Sequence, residues 1–265
     1  NGRLVCHYCG YETPQVTRCP QCGSKYILGF RAGTQQIEEV LHKMYPQARV
    51  LRMDADTTKT KDSYEDILSR FANEEADILV GTQMIVKGHD FPKVTLVGIL
   101  AADMSLYTDD YRSGERTFQL LTQAAGRAGR GMREGEVVIQ TYSPEHYAIK
   151  AAAAQDYKAF YEQEIRYREL LGYPPAEELM AVLAAGEDER LLETGCKYLK
   201  EYVLRIKGKA PLEVIGPASP GVDKIKDIYR RVIYIKAPEY RTLIRVKDLM
   251  EQYIAVSYTH LTLPT

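Results

Sequence analysis

Residues 76–103 read ADILVGTQMIVKGHDFPKVTLVGILAAD, and this stretch decides the fold class. Two apolar runs, Ile78–Val80 and Val94–Leu100, bracket a polar loop. Such short runs are typical of buried parallel strands. In an open α/β sheet, ligands bind outside the carboxyl ends of the strands, so we expect the loop at a ligand-binding edge. Its candidate residues are Gly81, Thr82, Gln83, Lys87, Gly88 and Asp90.

A second stretch, QLLTQAAGRAGRG at residues 119–131, carries two arginines three residues apart. Arg127 and Arg130 follow a glycine where a helix is expected to end. A guanidinium group keeps its charge and bonds two phosphate oxygens at once, so both residues are candidates for contacting a transferring phosphoryl group. Taken alone, GRAGR is equally compatible with an exposed loop that pairs with surface carboxylates. The stretch upstream favours the phosphate role.

The order of these motifs resembles the second RecA-like lobe of superfamily 2 helicases. The chain also resembles the bacterial primosomal helicases that restart stalled replication, over nearly its whole length to about Ile254. Four further segments carry this resemblance: GTQQIEEVL, RMDADTT, DDYRSGERTFQLLTQAAGRAGRG and GEVVIQT. The resemblance implies DNA contacts for Thr82 and Gln83, nucleotide contacts for Gly88, Asp90 and Gln123, and arginine-finger roles for Arg127 and Arg130. It also implies an ATP-dependent 3′-to-5′ DNA helicase.

The sequence holds no G-x-x-x-x-G-K-[ST] phosphate loop and no DExH-like carboxylate pair for magnesium. In the family these belong to the first lobe. We therefore expect ATP and Mg²⁺ to act only together with that lobe, and the isolated chain to be inactive as an ATPase. The main alternative is a non-catalytic zinc-ribbon module that binds nucleic acid. Such a module has no need of the GTQ, KGHD and QxxGRxGR motifs together. A restriction- or recombination-type translocase does not account for the cysteines or the terminal domain.

Four cysteines form two Cys-x2-Cys pairs, each followed by glycine: Cys6, Cys9, Cys19 and Cys22. A tight turn of this kind points two thiolates at one ion, which favours structural Zn²⁺. Spacing alone places all four on one ion. The family resemblance instead implies four nested pairs around two zinc ions, so that the two pairs here belong to different ions. Cys196 stands alone in an amphipathic run and is expected to be a small core residue.

The alternating pattern predicts an α/β fold, a parallel sheet with helices on both faces. The family resemblance implies that this sheet belongs to a second RecA-like helicase lobe. A small zinc-binding module precedes it and a C-terminal α+β domain follows. The predicted ranges are a partial zinc module at 1–28, the lobe without its earliest elements at 29–147, a connecting helix (Ala148–Leu171) and Pro-Pro boundary at 148–175, the α+β domain at 176–256, and a non-native or disordered tail at 257–265.

The predicted terminal domain concentrates basic and aromatic residues around a hairpin: Lys224, Lys226, Tyr229, Arg230 and Arg231. Basic side chains that alternate with aromatic ones suit DNA phosphates and stacked bases. The alternative is a strand with a charged solvent face, and the pattern favours neither. The family resemblance favours contact with branched DNA.

Composition gives no global sign of nucleic-acid binding, because the net charge of the 265-residue chain is −1. Any DNA contact must come from local patches. The sequence shows no membrane-spanning run and no signal peptide, so we expect a cytoplasmic, monomeric protein without a membrane partner. The partners that the resemblance implies are forked and single-stranded DNA, the single-stranded DNA-binding protein and other primosome proteins.

Overall fold

A computed structural model describes residues 3–5, 12–14, 18, 23, 33–58, 60–82, 85, 91–108, 110–129 and 134–257. In chain order the elements are β1 (Arg3–Val5), β2 (Glu12–Pro14), α1 (Thr34–Met44), β3 (Val50–Met53), α2 (Lys61–Ala72), β4 (Ile78–Gly81), β5 (Leu96–Ile99), a 3-10 helix (Ala102–Ser105), α3 (Ser113–Ala125), β6 (Glu136–Ile139), α4 (Tyr147–Ala153), α5 (Tyr157–Leu171), β7 (Glu178–Gly186), α6 (Glu189–Ile206), β8 (Glu213–Ala218), β9 (Lys224–Ile225), β10 (Ile228–Ala237) and α7 (Tyr240–Ser257).

The chain divides into two compact units, which we describe separately. The central unit comprises residues 16–107 and 112–160. The terminal unit comprises residues 1–15, 108–111 and 161–265. None of the helices in the described part of the chain is long and apolar enough to span a bilayer.

Two pairs of parallel strands form the sheet structure described for the central unit. β3 pairs with β4, and β5 pairs with β6. The two apolar runs of the opening stretch supply β4 and β5, as their composition predicts. Parallel pairing requires a long crossover between partners, and α2 fills the crossover from β3 to β4.

The helix α2 packs against this framework. Thr60 and Ser63 form a reciprocal capping box at its start. Ile67 and Leu68 are buried, and Phe91 joins them in one hydrophobic cluster with Met53 of β3. In contrast to α2, α1 has no fully buried residue.

The prediction of one helix over Ala148–Leu171 is wrong, since the structure has α4 and α5 with a break between them. Gln155 takes a left-handed backbone conformation with φ of 54°. The Asp156 carboxylate then accepts a hydrogen bond from Ala159 N–H at 2.9 Å, which caps the start of α5. Apolar periodicity continues through such a break, so the pattern alone does not reveal it.

In the terminal unit, β7, β10 and β8 form an antiparallel sheet with β10 in the centre. The helices α6 and α7 pack on one face of that sheet. Their buried side chains meet Ile233, Ile235 and Ala237 of β10 in a single cluster. Cys196 belongs to this cluster as a free buried thiol, which confirms its predicted core position.

Candidate functional site

The helix α3 leads directly into the arginine segment. Its buried residues are spaced along one helical face: Gly114, Thr117, Phe118 and Leu121. The helix ends at Ala125, and Gly126 forms its C-cap. Arg127 N–H donates to the Ala124 carbonyl at 3.0 Å, so a tight turn carries the chain away from the helix. This places Arg127 at the helix end, as the sequence predicts, and Gln123 on the exposed side of the last turn.

The segment that carries Arg127 is hydrogen-bonded to the segment that follows the KGHD loop. Gly129 N–H donates to the Val94 carbonyl at 3.0 Å. Val94 comes four residues after Asp90 in the sequence. The structure therefore brings the chain around GRAGR next to the chain that follows GHDFP. Gly88, Asp90 and Arg130 themselves lie outside the described residues.

Two glycines make the close approach in this segment possible. Gly129 has a φ of +71°, a region that side-chain-bearing residues rarely adopt. A Cβ on Gly135 would lie 2.2 Å from the Gly129 nitrogen and 2.4 Å from the Ala128 carbonyl carbon. Two backbone stretches thus cross in contact, one directly after Arg127 and the other leading into β6.

The GTQ loop begins at the carboxyl end of β4. A Cβ on Gly81 would lie 2.3 Å from the Met53 carbonyl oxygen of β3, so the strands meet too closely here for any larger residue. Thr82 follows and is exposed, with its N–H directed at the same carbonyl at 3.4 Å. Thr82 is thus placed at the strand edge where a ligand can reach it. Gln83 lies outside the described residues.

Asp54 follows the end of β3 and organises a turn. Its Oδ1 accepts hydrogen bonds from the N–H groups of Asp56 and Thr57, both at 3.0 Å. The Thr34 hydroxyl donates to Oδ2, and this bond is the main reason that the pKa of Asp54 is lowered. The carboxylate therefore fixes the start of α1 to the end of β3.

Asp103 is a second organising carboxylate, and the sequence analysis missed it. It is buried and accepts hydrogen bonds from the Thr141 hydroxyl at 2.7 Å and from Tyr142 N–H at 2.8 Å. Burial alone would raise the pKa of Asp103, but these donors outweigh burial and the pKa is lowered. The signal available in the sequence was an aspartate within four residues of the end of the apolar run that forms β5.

The basic residues of the terminal hairpin do not form one surface. Lys224 lies over the ring of Tyr229, with Nζ 4.7 Å from the centroid, and pairs with Asp227 at 2.8 Å. Lys226 and Asp227 form the tip of the hairpin, both with positive φ. Arg230 and Tyr229 lie on opposite faces of β10, because alternate strand residues point to opposite sides of a sheet.

Arg231 faces α6, and its guanidinium group is bound to two carboxylates. Nη2 donates to Glu189 at 2.6 Å and Nε donates to Glu193 at 2.9 Å. The Arg231 side chain is 10% exposed. Its hydrogen bond is the main reason that the pKa of Glu193 is lowered. These contacts favour a structural role for Arg231 over DNA contact.

The four zinc-candidate cysteines, Cys6, Cys9, Cys19 and Cys22, lie outside the described residues. β1 and β2 pair antiparallel on either side of residues 6–11, which include the first Cys pair. Among the described residues, no group of three or more His, Cys, Asp or Glu side chains is placed to hold a metal ion. The zinc site stays a prediction.

Comparison with known families matches both units. Residues 22–132 match the helicase conserved C-terminal domain, and residues 169–261 match the C-terminal domain of primosomal protein N. The chain corresponds to a C-terminal fragment of the PriA family. The strand pairs and helices of the central unit accordingly fit an α/β RecA-like lobe.

Individual PriA proteins are similar to this chain over almost its full length. The replication restart protein PriA of Bacillus subtilis is 45% identical over 252 residues, which is 95% of this chain and 31% of the relative. The PriA of Synechocystis is 41% identical over 94% of the chain and 30% of the relative. For Thermotoga maritima PriA, 36% identity extends over 96% of the chain and 33% of the relative. The chain thus spans about a third of the length of its PriA relatives.

Proposed function

We propose that this chain is the part of an ATP-dependent 3′-to-5′ DNA helicase that supplies the second lobe and the terminal domain for replication restart. One observation of the structure carries the proposal. The Gly129–Val94 hydrogen bond joins the chain directly after Arg127 to the chain that follows the KGHD motif. A site that contacts one phosphate chain from two motifs needs this contact. The names of the relatives supply the replication-restart role.

Within this site, Arg127 and Arg130 stabilise negative charge on the phosphoryl group in the transition state. Gly88, Asp90 and Gln123 contact the nucleotide, and Thr82 and Gln83 contact the DNA backbone. The phosphate loop and the magnesium ligands come from a first lobe. The chain alone therefore does not hydrolyse ATP, and DNA-stimulated turnover by the isolated chain would contradict this assignment.

In the terminal unit, the hairpin that carries Lys224, Lys226 and Tyr229 binds DNA phosphates and an unstacked base, and Arg230 adds a cation from the opposite face of β10. The single-stranded DNA-binding protein and primosome proteins are the protein partners. The cysteine pairs hold structural Zn²⁺, which stabilises the module ahead of the lobe. A zinc content near zero in the purified chain would exclude that role.

The arginine role is tested in a full-length chimera in which Bacillus subtilis PriA supplies the part that precedes this chain. ATPase activity is measured on forked DNA. We expect Arg127→Ala to lower kcat by about a thousandfold, because the transition-state charge loses a bidentate donor. Arg127→Lys keeps the charge but loses the planar fork, so its activity should be low as well.

The control is Arg190→Ala, which removes an exposed arginine from α6 of the terminal unit. It should leave kcat unchanged. Full ATPase activity in the Arg127→Ala chimera would refute the arginine-finger role. A folded wild-type chimera that binds forked DNA but hydrolyses no ATP would instead favour a non-catalytic nucleic-acid-binding module.

A further inference from the structure

The 3-10 helix that follows β5 connects the end of β6 to α3, and all three elements lie in the central unit. The Thr117 hydroxyl of α3 donates a hydrogen bond to the Ser105 hydroxyl at 2.8 Å. The Asp103 carboxylate of the same 3-10 helix accepts hydrogen bonds from residues just after β6, which are Thr141, Tyr142 and Ser143. The short helix is therefore bonded to both neighbours.

Both sides of this connection are buried. Asp103 is 8% exposed and Thr117 is 0% exposed. Leu106, which follows the 3-10 helix, packs with Phe118 and Leu121 of α3 in one hydrophobic cluster. Water cannot replace a lost partner at a buried hydrogen bond, so breaking either link is costly. The connection therefore holds α3 in one arrangement.

The bonds to the chain after β6 require a carboxylate. Oδ1 of Asp103 accepts from the Thr141 hydroxyl at 2.7 Å and from Ser143 N–H at 3.1 Å. Oδ2 accepts from Tyr142 N–H at 2.8 Å. An asparagine presents an NH2 donor in place of one of these oxygens. In either orientation of that amide one backbone N–H would face a donor, so Asp103→Asn should loosen this contact.

The helix α3 carries this placement to the candidate catalytic arginine. It runs unbroken over Ser113–Ala125, and Thr117 lies in its first half. Backbone hydrogen bonds continue past its end, since Arg127 N–H donates to the Ala124 carbonyl at 3.0 Å. A helix that is held at Thr117 therefore fixes where the chain at Arg127 stands.

We propose that Asp103 is a positioning residue, which acts through Ser105 and Thr117 to fix α3, so that α3 places Arg127 for ATP hydrolysis. Asp103 itself touches neither nucleotide nor DNA in this role. All four residues lie in the central unit. The proposal rests on the proposed ATPase function of Arg127.

The first test measures hydrogen exchange in the isolated chain. In Asp103→Asn, exchange of the α3 amides should rise about tenfold, because buried donors lose their acceptor. Ser105→Ala removes the bond to Thr117 but keeps the Asp103 bonds, so exchange should rise in α3 and stay slow after β6. Asp77→Asn is the matched control, because Asp77 also accepts from a backbone N–H and a side chain, both of Arg49, but is exposed and lies outside this connection.

The second test measures ATPase kinetics of the same variants in the full-length chimera. Asp103→Asn and Ser105→Ala should lower kcat about tenfold with little change in KM, because a misplaced catalytic group loses transition-state contacts. Thr141→Val removes one donor to Asp103 and should lower kcat as well, whereas Thr141→Ser keeps the hydroxyl and should retain activity. Asp77→Asn should leave kcat unchanged.

Unchanged exchange in α3 or an unchanged kcat in Asp103→Asn would each overturn the inference, and so would an equal loss of kcat in Asp77→Asn. If Asp103→Asn does not fold, Ser105→Ala and the two Thr141 variants decide by the same criteria. A wild-type chimera that hydrolyses no ATP would reject the proposed function. The exchange result would then decide alone whether Asp103 holds α3.

Discussion

Arg230 and Arg231 are neighbours in the sequence, but the structure gives them different surroundings. Arg231 is buried against α6 and bound to Glu189 and Glu193. Arg230 is partly exposed on the opposite face of β10. A run of basic residues on a strand therefore divides between two faces, and the two arginines have different neighbours.

We predict opposite effects for the two alanine substitutions. Arg231→Ala should lower the free energy of unfolding by about 1–3 kcal/mol, because two carboxylates lose their shared partner. Arg230→Ala should change stability by less than about 0.5 kcal/mol. It should nevertheless weaken binding to forked DNA and reduce the slope of log affinity against log salt by about one.

Urea unfolding and fluorescence anisotropy with labelled forked DNA measure the two effects on the same purified variants. Arg231→Lys serves as a control, because a lysine retains the charge but not the fork that reaches both glutamates. A loss of DNA affinity in Arg231→Ala at full stability would show that Arg231 is a DNA contact after all.

At the scale of elements, the segment after α3 depends on close backbone packing. The backbone at Gly135 touches that at Gly129, and a Cβ at Gly135 would meet it at 2.2 Å. Gly135→Ala should therefore lower the free energy of unfolding by about 1–3 kcal/mol, since backbone and not a flexible side chain must move. Gly98→Ala is the matched control within β5, where an added Cβ meets nothing within 4 Å.

Chemical unfolding monitored by circular dichroism measures both variants. Gly98→Ala should be neutral or stabilise the strand by up to about 1 kcal/mol, because alanine loses less backbone freedom on folding. Equal stabilities of the two variants would mean that the crossing at Gly129 and Gly135 relaxes without cost.

The elements also show what the sequence can predict. The apolar runs that form β4 and β5 are visible in the sequence, because short runs of apolar residues leave a local pattern. The break at Gln155 and the hydrogen bonds of Asp103 are not, because a single left-handed residue or a single buried carboxylate has no period. The motifs around Arg127 indicated the candidate site, but the contact between Gly129 and Val94 required coordinates, since 35 residues separate them.

At the scale of the whole molecule, each hydrophobic cluster draws its residues from one unit. Leu121 and Phe118 belong to a cluster of the central unit, and Leu199 and Ile233 belong to the cluster of the terminal unit. Buried leucine side chains contribute to the stability of the cluster that holds them. Separate clusters therefore predict unfolding in more than one step.

Leu121→Ala and Leu199→Ala test this prediction, because both leucines are nearly fully buried, at 3% and 7% exposure. Each substitution should cost about 2–5 kcal/mol in its own cluster. Native-state hydrogen exchange should then show Leu199→Ala releasing amides of α6 and β10 while α3 and α4 keep their protection. Leu121→Ala should do the reverse. If either substitution lowered protection equally in both sets of elements, the two units would unfold as one cooperative body.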